Sequence, residues 1–379
     1  MSRNRLQLIC VLFAFTLLVA FCNDLRPEQP GGIADDTARF LAGMRIAESS
    51  PLYAKTQNDD WREHNREMDA AFAQFKTVYA ESMREWSNKT IPEQPRVLFY
   101  PFGGPDQLIP QIIFHKSTEY ILFGMEPVGS LADVNALNPA QLRDTYSIIR
   151  RALSWFLTYT YFQTYQMDRW LRGNNAGGAA SVLMVFLARN DSRITLVVPV
   201  RIDSNGNLEC LAREIPDPDQ CKPVGNFSGT IPGVRIYFSK DNIPRTVTYF
   251  SINANDDSLA RQPQFLRYIR SRGERATFMK AASYLLYGSN FNIVKDFIAR
   301  ESEIILTDDA GLPHSVMDRK EMHLEYFGSY IEPMPMYRNL KQPELQKVFE
   351  HARDLPFEIG YTASWKRGYS SLILARKKK

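Results

Sequence analysis

The sequence predicts a mixed α/β protein built around a largely parallel sheet. Val97–Phe102 and Tyr120–Met125 are apolar runs of the length of a buried strand, and each ends in turn residues that include one acidic side chain. Apolar residues recur at steps of three and four from Gln57 to Trp86 and again after Asn138, which predicts long amphipathic helices. Between residues 179 and 253 the period changes to two, which predicts an antiparallel β section.

The composition is that of an ordinary globular protein. The chain has 379 residues, of which 44% are hydrophobic and 23% charged, so a large core is available. The formal charge is +4, and Arg3 and Arg5 lie in a leader that we expect to be removed. The remaining chain is close to neutral, which argues against a nucleic-acid partner. We expect one integrated domain over residues 34–379.

Residues 1–22 have the pattern of an export leader. A short basic region precedes about 16 mostly apolar residues, and Ala20-Phe21-Cys22 fits cleavage after Cys22. Cys22 also fits the acylated cysteine of a bacterial lipoprotein, and an uncleaved membrane anchor is the third alternative. All three predict a protein exported to the periplasm or cell envelope, with membrane contact only through the leader or a lipid. Residues 23–33 are a Pro/Gly-rich tether.

Two cysteines remain beyond the leader. Cys210 and Cys221 flank a short loop rich in Pro and Asp. In an oxidising compartment this spacing predicts a disulfide, which contributes roughly 3 kcal/mol in the chain-entropy model. A metal or redox pair is the alternative, but the CxxC spacing and a nearby histidine are missing.

The N-terminal part is predicted to be helical. Ala34–Met44 reads as a short helix, and the stripe from Gln57 to Trp86 predicts a core-facing helix on which His64 is a hydrogen-bonded core residue. Asn138-Pro139-Ala140-Gln141 is a strong helix start. That helix could extend to Leu171 with a break near Thr158–Thr160. Its polar members Thr160 and Gln163 either bond to backbone or line a pocket.

The rest of the chain is predicted to be strands followed by mixed elements. Predicted strands are Ser181–Ala188, Arg193–Ile202, Gly206–Cys210, Val234–Phe238 and Thr246–Ile252, with hairpin turns at 203–206 and 239–242. Predicted helices are Pro263–Arg272, Phe278–Leu286, Asn292–Arg300 and Pro343–Arg353. A strand is expected at Glu303–Leu306, and a strand pair at Phe357–Tyr361 and Ser370–Arg376. The arginines in and around 261–275 predict a solvated face or a contact with an acidic surface.

The candidate ligand site lies where the strands end, since open α/β sheets bind ligands there. Asp106 and Glu126 follow the two central strands, and Asp308-Asp309 follows a later one. Tyr100, Tyr330 and Tyr361 are candidate aromatic walls. Asp106 is expected at a helix N-terminus, where a carboxylate satisfies the N–H groups and repels phosphate; hydroxyls, ammonium groups or a cation would fit better. The alternatives are that Asp106 is a cap, that Glu126 pairs with an arginine, and that Asp308-Asp309 forms a turn.

Common catalytic and metal-binding patterns are missing from the sequence. The histidines are scattered without paired-ligand spacing, so we predict no metal and no cofactor. Asp318, His323 and Glu325 are close together but are expected to be solvated on a polar helix. The serine-hydrolase motif G-x-S-x-G is also absent.

Several segments resemble the blocks of a family of exported bacterial proteins of unknown function. These are YPFGGPD, LFGMEPVG, IPGVRIYFS, FMKAASYLLYGSNF, ILTDDAGLP and LPFEIGY…SSLILARK, spread over residues 97–376. The resemblance implies export and a single integrated fold, and it supplies no catalytic residues.

The order of elements is also similar to Rossmann-type methyltransferases. Val97–Glu126 resembles their opening strand, Gly-rich turn and second strand with an acidic end, and Phe357–Arg376 resembles their final antiparallel pair. The chain departs from them in lacking G-x-G-x-x-G and in having Pro110 within the first helix. The resemblance therefore implies a Rossmann-like sheet rather than an activity.

Three functions are compatible with these features. The first is a non-catalytic envelope protein that binds a small polar ligand or an envelope partner near Asp106, Glu126 and Asp308. The second is a hydrolase that uses two of the carboxylates on glycans. The third is methyltransferase-like cofactor binding, which requires that the leader is not an export signal.

Overall fold

The chain folds around one large mixed sheet. A computed structural model describes residues 32–162, 171, 177–317 and 320–378. The leader with Cys22, nearly all of the tether, Gln163 and Asp318 lie outside the described residues. The strands are β1 Val97–Tyr100, β2 Glu119–Gly124, β3 Arg193–Ile202, β4 Leu208–Cys210, β5 Lys222–Pro223, β6 Ile231–Lys240, β7 Ile243–Ser251, β8 Arg275–Met279, β9 Ile304–Thr307, β10 Met322–Gly328 and β11 Ser371–Lys377.

Helices connect and cover these strands. They are α1 Ile33–Leu41, α2 Asp59–Phe75, α3 Glu81–Thr90, α4 Leu108–Ile113, α5 Pro139–Tyr159, α6 Gly178–Arg189, α7 Asp256–Arg261, α8 Gln264–Ser271, α9 Asn292–Glu301, α10 Pro343–Phe349 and α11 Gly360–Trp365. A π-helical turn, Lys76–Ala80, joins α2 to α3. Short 3-10 turns lie at 53–57, 134–136, 285–287, 314–316 and 335–340.

The sheet order is β10-β11-β9-β8-β1-β2-β7-β6-β3-β4-β5. The five central strands β9, β8, β1, β2 and β7 are parallel to one another. Numbered along the chain, their order across the sheet from β7 to β9 is 3-2-1-4-5, as in doubly wound Rossmann-like sheets. β11 is antiparallel to β9, and β10 is antiparallel to β11. The Rossmann-like prediction is therefore confirmed.

Helices cover both faces of the sheet. Alternate residues of β1 belong to different cores: Leu98 and Tyr100 pack with the N-terminal helices, whereas Val97 and Phe99 pack with α7 to α10. This alternation follows from the two-residue period of a strand. The N-terminal helical layer predicted from the sequence is thus one face of a three-layer arrangement.

The long helices follow the predicted stripe. His64 is fully buried, and its Nε2 lies 2.8 Å from the carbonyl of Leu41. Burial lowers the pKa of His64 to about 4, so the ring is a neutral core residue as predicted. Helix α5 has the Asn138–Gln141 capping box and ends at Tyr159, where Thr160 adopts a left-handed φ of 66°. The expected break near Thr158–Thr160 is confirmed.

The antiparallel section extends the same sheet beyond β7. Four of its five predicted strands are present, and Asp241 and Asn242, both at positive φ, form the two-residue turn between β6 and β7. The predicted strand Ser181–Ala188 is wrong, since this segment lies in α6. A short apolar run buried on all sides has no period that separates a strand from a helix.

Two C-terminal predictions are also wrong. Phe278–Leu286 is not a helix: Phe278 lies in β8, and an irregular loop follows. Phe357–Tyr361 does not pair with β11, whose antiparallel neighbours are β9 and β10. His323 and Glu325 lie on β10 rather than on a polar helix. Burial against the neighbouring strands determines these segments, and that information is not local in sequence.

The arginine-rich segment is only partly solvated. Arg270 is exposed and pairs with Glu301, but Arg272 donates to Glu119, whose side chain is only 1% exposed. Arg235 is fully buried and bonds to Asp217 at 2.7 Å. Asp217 lies in the loop between Cys210 and Cys221, which form the predicted disulfide.

Within the described residues, no helix is both long and apolar enough to cross a membrane.

Candidate functional site

A cleft lies at the carboxyl ends of the central parallel strands. It encloses about 760 Å³, part of it open to solvent. Each of four strands supplies residues at its carboxyl end: Phe102–Gly104 after β1, Gly124–Glu126 at the end of β2, Ile252–Ala254 after β7 and Lys280–Ser283 after β8. This is where doubly wound sheets bind their ligands.

Glu126 is the predicted carboxylate that lines the cleft. Its side chain is 1% exposed, and its Oε2 accepts a hydrogen bond from the hydroxyl of Tyr249 at 2.9 Å. A Cβ at Gly124 would lie 2.2 Å from the same oxygen, and one at Gly104 would lie 3.0 Å from Oε1. The two glycines therefore allow the carboxylate to lie directly against the turn after β1. The alternative that Glu126 pairs with an arginine stays a prediction.

Asp106 lies behind the cleft wall rather than in it. It is fully buried and accepts from the Tyr100 hydroxyl at 2.8 Å and from the Ile109 amide at 3.2 Å. Lys280, which lines the cleft and is 3% exposed, places its Nζ 2.9 Å from Asp106 Oδ2. Asp106 thus caps α4, as the alternative interpretation predicted, and also neutralises a buried lysine.

Asp308 and Asp309 support the loop that forms one wall of the cleft. Asp308 accepts from the backbone amides of Ala281 at 2.7 Å and Ala310 at 3.0 Å. Asp309 accepts from the Tyr284 hydroxyl and from Ser371. Burial, together with the neighbouring carboxylate, raises the pKa of Asp308 to about 7, and burial also raises the pKa of Asp309.

The supported loop has an unusual backbone. Ala281, Ser283 and Tyr284 have φ values of 49°, 53° and 53°, and Phe102 across the cleft has 62°. Non-glycine residues in this region cost of the order of 1–3 kcal/mol each, and such residues concentrate at functional sites. The hydrogen bonds from Asp308 and Asp309 oppose that cost. The two aspartates therefore shape the cleft without lining it.

The three predicted tyrosines are not equivalent. Tyr100 lines the cleft and its ring stacks on Phe278 at 5.2 Å. Tyr361 does not line the cleft but contacts two residues that do. Its hydroxyl lies 2.8 Å from that of Ser283, and its ring is perpendicular to the ring of Tyr161. Tyr330 is not a wall of the cleft; its hydroxyl accepts from the Gln342 amide.

Sequence reasoning missed four contributors: Lys280, Ser283, Asn253 and Tyr249. Lys280 follows an apolar run, Ala276–Met279, and recognising that run as a strand would have placed Lys280 at the ligand edge. Asn253 follows a correctly predicted strand, so its position was available from the same rule. Tyr249 contacts Glu126 only through the parallel pairing of β2 with β7.

Within the described residues, no group of histidine, cysteine and acidic side chains has the arrangement of a metal site. Comparisons with protein-family models, with curated proteins and with solved structures gave no match. The resemblances stated from the sequence therefore remain predictions.

Proposed function

We propose that the chain is an exported envelope protein that binds a small ligand with hydroxyl groups and no phosphate in this cleft. The observation that carries the proposal is the buried Glu126 carboxylate lying against Gly104. In doubly wound sheets, an acidic residue about 20 positions after the glycine-rich turn accepts hydrogen bonds from vicinal hydroxyls of the ligand. Glu126 stands at that position relative to Gly104.

The surroundings of Glu126 limit the ligand class. Asp106 already accepts from the Ile109 amide at the start of α4, and the carboxylate in the cleft is that of Glu126, so a phosphate would find that donor occupied and would face a negative charge. Phe102, Phe123 and Phe291 give the cleft an apolar side that suits the face of a ring. A nucleoside or a small glycoside has this combination of ring and hydroxyls.

Export is supported by two observations. The first is the basic and apolar pattern of residues 1–22. The second is the Cys210–Cys221 disulfide, since disulfides persist in oxidising compartments. Release after cleavage, acylation of Cys22 and a retained leader stay open as alternatives. A fusion of residues 1–30 to a reporter active only outside the cytoplasm tests export, and an inactive fusion would contradict it.

The binding proposal is tested by ligand-induced changes in melting temperature of the full chain. Adenosine and small glycosides are the probes, and AMP and ATP are the phosphate-bearing counterparts. We expect binding of a phosphate-free probe that is lost in Glu126→Gln and retained in Glu303→Gln, a carboxylate on another surface. Equal binding of adenosine and AMP, or unchanged binding by Glu126→Gln, would contradict the proposal.

A second candidate is binding of a methyltransferase-type cofactor. It is favoured by the parallel order 3-2-1-4-5 followed by an antiparallel last pair, β10 and β11. S-adenosylmethionine is a nucleoside without phosphate, so the same cleft chemistry suits it. If S-adenosylmethionine binds more tightly than adenosine and the export fusion is inactive, this candidate is favoured over the first.

The glycan hydrolase has less support from the geometry. Asp106, Asp308 and Asp309 are each at most 3% exposed, and each accepts hydrogen bonds from internal donors. None of the three lines the cleft, whereas Glu126, which is also buried and also accepts from an internal donor, does.

A further inference from the structure

A second groove lies away from the cleft, on the face covered by the N-terminal helices. It encloses about 1280 Å³, part of it open to solvent. Its floor is apolar and includes Phe72, Phe75, Leu108 and Ile112, which are all buried. The π-helical turn Lys76–Ala80 forms part of its wall, and π turns within helices are frequent at functional sites.

Two of the cations around this floor, Arg84 and Lys240, form no ion pair within the described residues, although the carboxylates of Asp191 and Asp241 lie near enough to favour their charged forms. No hydrogen bond or ion pair joins the half-buried Arg84 guanidinium to another described residue. Lys240 donates to the carbonyl and to the Oδ1 of Asn190, at 2.7 and 2.8 Å, which leaves one of its three N–H groups. Arg245, a third cation whose charge acts on Lys240, donates only to neutral oxygens. Burial, together with the charges of Arg84 and Arg245, lowers the pKa of Lys240 to about 8, against the opposing effect of Asp191 and Asp241.

The remaining charges at the groove leave it positive inside. Arg189 is neutralised by Asp69. Lys76, Glu81, Asp191 and Asp241 are exposed, so water screens their charges more than those of the half-buried Arg84 and Lys240. An anion between Arg84 and Lys240 would relieve the repulsion, and an apolar group attached to it would cover the floor.

The position of the groove indicates the source of such an anion. The fold begins at α1, where Asp35 accepts from the Ile194 amide, only a few residues from Asp191 at the rim. The described chain begins here, and the basic and apolar pattern of residues 1–22 predicts a leader directed to a membrane. We propose that the groove binds the anionic headgroup of a membrane lipid, with Arg84 and Lys240 donating to its phosphate oxygens and the apolar floor contacting its acyl chains.

The test uses monomeric short-chain lipids and the full chain. Dihexanoylphosphatidylglycerol is the anionic probe, dihexanoylphosphatidylcholine the zwitterionic one, and inorganic phosphate the free anion; binding is measured from shifts in melting temperature. We expect phosphatidylglycerol to bind more tightly than phosphatidylcholine. Loss of a charge-assisted hydrogen bond in Arg84→Gln or Lys240→Gln should weaken binding by about tenfold or more.

The control is Arg151→Gln, an exposed arginine on α5 outside the groove, which should bind like the wild type. Arg84→Gln should fold normally, because it removes no hydrogen bond, and the melting temperature without lipid checks this. Equal binding of both lipids, or unaltered binding by Arg84→Gln and Lys240→Gln, would overturn the proposal. Competition by inorganic phosphate at similar concentration would overturn the lipid assignment in favour of a free anion.

Discussion

The buried pair of Asp106 and Lys280 offers the sharpest test of how the cleft is built. The side chains are 0% and 2% exposed, and the charged atoms lie 2.9 Å apart. Removing one partner of such a pair leaves an uncompensated buried charge and costs about 3–5 kcal/mol, whereas replacing both costs far less. Lys280→Met and Asp106→Asn should therefore each destabilise the protein strongly, and the double variant should recover much of the loss.

Urea denaturation measures this effect. With a denaturant slope of about 3 kcal/mol/M, the expected loss corresponds to a fall of roughly 1–1.7 M in the urea midpoint. Fluorescence and far-UV circular dichroism should give coincident transitions before free energies are compared. The matched control is Lys377→Met, which breaks the exposed Lys377–Glu303 pair and should cost less than about 1 kcal/mol.

The outcome also separates structure from catalysis. A hydrolase that used Asp106 would lose turnover in Asp106→Asn while keeping its melting temperature. If Lys280→Met changes stability by no more than the Lys377→Met control, or if the double-variant cycle gives no coupling, the buried pair does not stabilise the fold and this reasoning is wrong.

Three further predictions concern the cleft and the disulfide loop. Asp308 has a pKa of about 7 in the folded protein, so it binds more protons folded than unfolded and its stabilising contribution is lost as pH rises from about 4 to about 7. The free energy of unfolding should thus fall more steeply over that range in the wild type than in Asp308→Asn, and equal slopes in urea titrations would contradict this. Reducing the disulfide should lower the free energy of unfolding by roughly 3 kcal/mol, measured by urea titration with and without reductant. No change would mean that the disulfide does not stabilise the fold. Gly124→Ala should abolish ligand binding, since its Cβ would lie 2.2 Å from Glu126 Oε2, whereas Gly225→Ala, with open space around it, should bind normally; the melting-temperature screen compares them.

Local sequence determined the parts of this protein whose causes are local. The strands β1 and β2, the Asn138–Gln141 helix start and the two-residue turn at Asp241 and Asn242 follow from apolar runs, capping chemistry and positive φ. The disulfide follows from two cysteines closing a short loop. The buried stripe of α2 and α3, with His64 on it, follows from helical spacing. Each of these depends on residues close together in the chain.

Tertiary structure alone decided the helix at Ser181–Ala188, the strand at Arg275–Met279 and the pairing of β10 with β11. An apolar segment buried on every side has no preferred period, so its neighbours choose its conformation. The same is true of the site. Asp106 and Glu126 looked alike in sequence, but long-range contacts paired Asp106 with Lys280 behind the wall and left Glu126, bonded to Tyr249, facing the cleft. Which acidic strand end lines the cleft depends on packing between residues that are distant in sequence.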